Sequence, residues 1–170
     1  MKPSSQTTSH RKPVGGVRSV ELFAANNVAV ARFSADATQC NKLIFIDPSA
    51  VMSCSLLEDC SSFDEKFTFE EGVAAVQHTL RLAADRNLAG AWLEPEFQRE
   101  AAQRGICALV MLNDGRQLLV GYSARFGAQQ PLRVVQIEIS SGCKLSDVPT
   151  IILQLEGFDT SAAAECIINQ

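Results

Sequence analysis

The stretch from Ile106 to Ser123 constrains the fold more than any other part of the chain. Two apolar runs, Ile106 to Leu112 and Gln117 to Ser123, flank Asn113-Asp114-Gly115-Arg116. Asp-Gly between such runs predicts a tight hairpin with a mirror-image turn, in which both central residues adopt positive φ. The first arm is apolar on both faces, since Ala108, Val110 and Leu112 alternate with Cys107, Leu109 and Met111. A strand of that kind belongs at the centre of a sheet rather than at its edge.

Short aliphatic and β-branched segments recur around this hairpin, separated by turn residues, and that rhythm predicts a mainly β protein. Val17 to Phe23, Val28 to Phe33, Leu43 to Ile46 and Val51 to Leu57 are expected strands, divided by Asn26-Asn27 and Asp47-Pro48. From Ala74 to Leu82 the alternation puts Ala74, Val76, His78, Leu80 and Leu82 on one half-buried face. Leu132 to Ile139 and Thr150 to Leu155 complete the set, with Val135, Ile137 and Ile139 in phase on one strand and Ile151, Leu153 and Leu155 on the other. Ser61 to Glu71 alternates only in part, with Phe63, Phe67 and Phe69 among acids, which suits an extended arm or a long hairpin. One helix is expected, starting at Glu94-Pro95-Glu96, where proline and acids suit a first turn, and stopping at Gly105.

These elements amount to a β-sandwich or flattened barrel with one short α-helix, formed as a single β-rich domain over 17–170 behind a flexible basic tail, 1–16. The chain's 170 residues suffice for a core without disulfides or metals. Net charge is −4, and because Lys2, Arg11 and Lys12 in the tail face no acid there, the remainder stands at −7. A domain of that sign repels phosphate backbones, which disfavours general nucleic-acid binding. No apolar run approaches the roughly 18 residues that a spanning helix needs, so no membrane partner is expected.

Candidate chemistry is sparse. The six cysteines, Cys40, Cys54, Cys60, Cys107, Cys143 and Cys166, form no C-x-x-C pair, and with only His10 and His78 available there is no zinc spacing. Free cysteines in a reducing compartment follow, with Cys107 a small core residue. The acids Glu58, Asp59, Asp64, Glu65, Glu70 and Glu71 lack the alternating ligands and sharp glycine turn of a calcium loop, so they predict a solvated acidic stretch. There is no phosphate loop, nucleophile elbow or dinucleotide fingerprint. Neither a catalytic residue nor a cofactor is expected, and His78 is assigned to strand packing.

Three resemblances bear on function. Ser140-Ser141-Gly142-Cys143 resembles the motif of deamidating toxins, which implies a cysteine nucleophile with a histidine base; in those toxins the histidine follows the cysteine, and none follows Cys143. The segment Leu109 to Gly121 is similar to the first motif of Sm-like RNA-binding barrels, which implies RNA binding. Phe126 is followed by Gly127 rather than by that family's aspartate, however, and no second motif is found.

The third resemblance covers most of residues 15 to 160 in order. Gly15-Gly16-Val17, His78-Thr79-Leu80, Ala108 to Arg116 through Val120-Gly121-Tyr122, Phe126-Gly127 with Pro131-Leu132, and Pro149 to Leu155 before Asp159-Thr160 resemble tail-tube-like and tail-associated structural proteins of phages and prophages. That likeness implies a non-enzymatic homo-oligomer whose rings, usually hexameric, stack into a tube by sheet extension and a long arm. It also implies other tail proteins as partners, DNA only as passing cargo, and a location in the virion tail after assembly in the host cytoplasm. On this resemblance, Phe63, Phe67 and Phe69 in Ser61 to Glu71 are the candidate subunit-interface residues; the alternative is that these phenylalanines fill the subunit's own core.

Overall fold

A computed structural model describes residues 15–167. The flexible tail expected over 1–16 therefore lies outside the described residues except for Gly15 and Gly16, whose carbonyls accept hydrogen bonds from the Asn113 side chain and backbone. The chain is mainly β and builds two sheets. One has seven strands in the order β2 (Val28–Phe33), β3 (Gln39–Phe45), β11 (Ala164–Cys166), β8 (Gln117–Val120), β7 (Ile106–Leu112), β1 (Val17–Ala24) and β4 (Met52–Cys54). The other has four, in the order β5 (Ser62–Glu70), β6 (Val73–Asp85), β10 (Thr150–Asp159) and β9 (Arg133–Ser140).

The two sheets pack as a β-sandwich. Val20 and Leu22 of β1, Ala108 and Val110 of β7, and Leu118 and Val120 of β8 face Leu80 and Leu82 of β6 and Ile151, Leu153 and Leu155 of β10. Trp92, in a 3₁₀ turn between β6 and the helix, closes the same core. The seven-stranded sheet also curls on itself. Phe23 of β1 and Phe45 of β3 are four strands apart in the sheet, about 19 Å if it were flat. Their rings nevertheless meet at 4.9 Å, edge to face. Inside this curl lies a second core of Phe23, Cys40, Cys107, Leu109, Leu119 and Cys166. Alternation along β7 thus feeds both cores, which is why its sequence is apolar on both faces and why the hairpin is central.

The helix α1 (Pro95–Gln103) begins at Pro95, with Glu96 in its first turn. Gly105 stops it at φ +81, where its N–H bonds Glu100 O and its backbone passes directly into β7.

Three expectations need correction. The β7–β8 connection is not a two-residue mirror-image turn. Leu112 N–H bonds Arg116 O, Gly115 N–H bonds Leu112 O, and only Gly115 has positive φ. This is a three-residue loop, a turn over Asn113-Asp114 followed by a left-handed glycine. Asp114 instead accepts from the backbone and side chain of Arg116. The mirror-image turn occurs elsewhere, at Glu71-Gly72 between β5 and β6, where φ is +49 and +81.

Secondly, Val135 is not in phase with Ile137. Gln154 pairs with Gln136, but the next residue, Leu155, pairs with Val134. A bulge at Val135 therefore turns that side chain outward and sends Val134 to the core with Ile137. Thirdly, β11 was not among the expected strands; it fills the gap between β3 and β8, parallel to β3 and antiparallel to β8.

A Cβ at residue 105 would lie 2.8 Å from Leu132 O in a backbone conformation that L side chains avoid. Gly105→Ala should therefore destabilise the protein by about 2–4 kcal/mol, measured by urea unfolding.

Candidate assembly surface

The long hairpin expected from Ser61 to Glu71 is formed by β5 and β6, paired from Ser62↔Arg81 to Glu70↔Val73. Phe63, Glu65, Phe67 and Phe69 stand opposite Leu80, His78, Val76 and Ala74, so all four share the face that carries the core. The pairing of β10 to β6 ends at Asp159↔Val76. Beyond Val76 the two arms pair only with each other, and the stretch 68–75 overhangs the sandwich by about 10 Å.

That overhang separates the three phenylalanines. Phe63 packs on the subunit's own core, its ring 5.8 Å from that of His78. Phe67 and Phe69, on the same face but past the end of the core, are 46% and 69% exposed, and Val73, on the opposite face at the tip of the same hairpin, is exposed too. At the other end of the four-stranded sheet, nearly the full length of β6 away, Leu88, Leu145 and Val148 are exposed on the loops after β6 and before β10. Gly142, Asp147 and Pro149 give the second loop its shape: the Asp147 carboxylate accepts the N–H groups of Cys143 and Lys144, and Pro149 O accepts from Arg86. Those two N–H groups, Lys144 first, hold the Asp147 carboxyl below its usual range.

The base of the hairpin is fixed by polar contacts. His78 is buried, with Nε2 3.2 Å from Glu65 Oε1 at an angle short of a hydrogen bond. Glu65 Oε1 also accepts the Ala163 N–H at 2.6 Å, tying β5 to the segment that leads into β11. Burial works to raise the Glu65 pKa, but the His78 ring and the Ala163 N–H outweigh it and hold the carboxyl below 4.5. His78 therefore lies in strand packing, as expected.

Among the described residues no further strand pairs with either edge of the same sheet, and α1 lies beside β9, where Arg133 donates to Gln103 O. β5 and β9 are its outer strands. Asp64, Lys66 and Glu70 put charge along β5, a pattern that discourages indiscriminate edge pairing. β9 shows Val135 and Ile139 exposed.

Other candidate chemistry does not converge. Cys143 lies in the exposed loop at the Thr150 end of β10, whereas His78 pairs with Gly157, about 23 Å along the strand. A cavity of about 420 Å³ opens between β1 and α1, lined by Leu22, Met52, Phe97 and Ile106 among others, and among the described residues Glu100 is its one titratable lining residue. Among the described residues no three His, Cys, Asp or Glu side chains are grouped to hold a metal, and no helix is long and apolar enough to cross a membrane. No protein-family model, curated protein or solved structure matches this chain.

The depressed Glu65 pKa contributes stability that is present above the unfolded value and lost as pH falls through the folded one. Glu65→Gln should cost roughly 1 kcal/mol near neutral pH, and the gap from the parent protein should close below about pH 4, seen as converging urea midpoints.

Proposed function

We propose that this protein is a non-enzymatic structural subunit of a phage or prophage tail, which assembles into rings that stack as a tube. One observation supports this above the rest: each end of the four-stranded sheet carries exposed apolar side chains, Phe67, Phe69 and Val73 at one end and Leu88, Leu145 and Val148 at the other, in addition to Val135 and Ile139 on β9 and Phe158 on β10. Two different apolar surfaces at opposite ends of one subunit suit a heterologous, propagating contact, the kind that stacks one ring on the next. In this reading Phe67 and Phe69 are the arm, while Phe63 belongs to the subunit core.

Ring closure has its own geometric basis. The order β5-β6-β10-β9 is antiparallel throughout, so with four strands its two edges run in opposite directions. Rotation about a ring axis would bring β9 of one subunit beside β5 of the next in the antiparallel sense, pairing edge N–H and C=O groups that have no strand partner among the described residues. The work done is geometric. A domain of net charge −7 would let DNA pass through a lumen without adhering.

Light scattering with negative-stain microscopy of the purified protein should show rings or tubes; a strict monomer at the highest attainable concentration would overturn self-assembly. In the double variant Phe67→Ser/Phe69→Ser, rings should persist and tubes should be lost, with circular dichroism unchanged. Salt-dependent RNA binding by a monomer would point instead to an RNA-binding barrel.

A further inference from the structure

Cys40 and Cys166 are register partners in the parallel pairing of β3 with β11, and both side chains lie buried in the core enclosed by the curled sheet. Neighbouring strands hold such residues about 5 Å apart at Cα, within the span of a disulfide. We propose that these two cysteines form a redox modification site, which an oxidant of the hydroperoxide class converts to an intrachain disulfide fastening β11 between β3 and β8.

Of the cysteines in the two cores, this pair is the one placed for that reaction. Cys107 shares the cluster but pairs across strands with Phe23 rather than with a second cysteine; its thiol donates to Gly121 O, as that of Cys40 does to Lys42 O. Burial pushes Cys107 up to about 12, and likewise pushes Cys54, in the other core, up to about 11. A hydrogen bond from Cys166 instead brings Cys40 down to about 7, while Cys166 is pushed up, first by that bond and then by burial. The two thiols are thus in mutual contact, so that one can attack the oxidant and the other resolve, here with Cys40 attacking first.

With hydrogen peroxide, the member of that class used in the test, the Cys40 thiolate attacks one peroxide oxygen and the O–O bond breaks. This gives the Cys40 sulfenic acid and a hydroxide that takes up a proton to leave as water. Cys166 then attacks that sulfur, gives up its proton and expels the hydroxyl as a second water. Two electrons pass from the thiol pair to the peroxide, and both thiol protons end in water. Access comes through local opening of β11, which is three residues long and is followed by the exposed Ile167. The bond would close the loop from 40 to 166 across most of the fold, and the site stands whether or not the subunits form rings.

The test uses the full chain with exposed Cys60 and Cys143 replaced, Cys60→Ser/Cys143→Ser, treated with hydrogen peroxide, alkylated and mapped by mass spectrometry. The expected result is one cross-linked peptide pair joining residues 40 and 166, together with a Tm rise of about 5–10 °C that dithiothreitol reverses. Cys166→Ser, or Cys166→Val if the serine variant does not fold, should remove both effects. Cys40 and Cys166 recovered as free thiols, oxidised without a link, or linked to other cysteines would each overturn the assignment.

Discussion

The packing of β7 against both cores is the constraint on which the rest of the structure depends. Its even-numbered residues, Ile106, Ala108 and Val110, fill the space between the sheets, while Cys107 and Leu109 fill the interior of the curl. A single strand is therefore the common wall of a sandwich and of a partly closed barrel. Its neighbours are fixed by the same requirement, since β1 and β8 must also present apolar residues both ways where they flank it. Gly105 sets where this wall begins, and the Leu112–Arg116 closure sets where it turns back.

The four-stranded sheet is free to do something different because only one of its faces is needed for the core. Its inner face buries Leu80, Leu82, Ile151, Leu153 and Leu155, yet its longest hairpin runs past the point where the opposing sheet and β10 cover it. Stability lives in the shared wall, and the proposed assembly contacts live on the ends and edges that this wall leaves uncovered. Glu65 and His78 stand at the boundary between those two regions and hold the base of the overhang to the body through Ala163.

Much of this was legible in the sequence because it depends on local alternation. The two-sided pattern of Ile106 to Leu112 placed the central strand, and Pro95 with Gly105 bounded the helix. The alternation of Ile151, Leu153 and Leu155 identified a core strand. What escaped depends on distant partners. Ala164 to Cys166 is too short to show a period, and it is a strand only because β3 and β8 leave a gap for it. The bulge at Val135 is hidden because Val134 and Val135 are both apolar, so the residue that turns inward is chosen by β10. Phe63, Phe67 and Phe69 look equivalent by spacing; the length of the sandwich, which no local pattern encodes, buries part of the first and exposes the other two. The turn type after Leu112 was missed because Asn113 joins the loop, which moves the left-handed position onto Gly115 alone.

Hydrogen exchange read by mass spectrometry across a range of protein concentrations tests the division between shared wall and open overhang most directly. The β7 amides should be the slowest to exchange and indifferent to concentration, whereas the stretch 68–75 should exchange fast in dilute protein and gain protection as particles form. Fast local exchange in β7, or an overhang whose protection stays fixed while particles appear, would contradict the account.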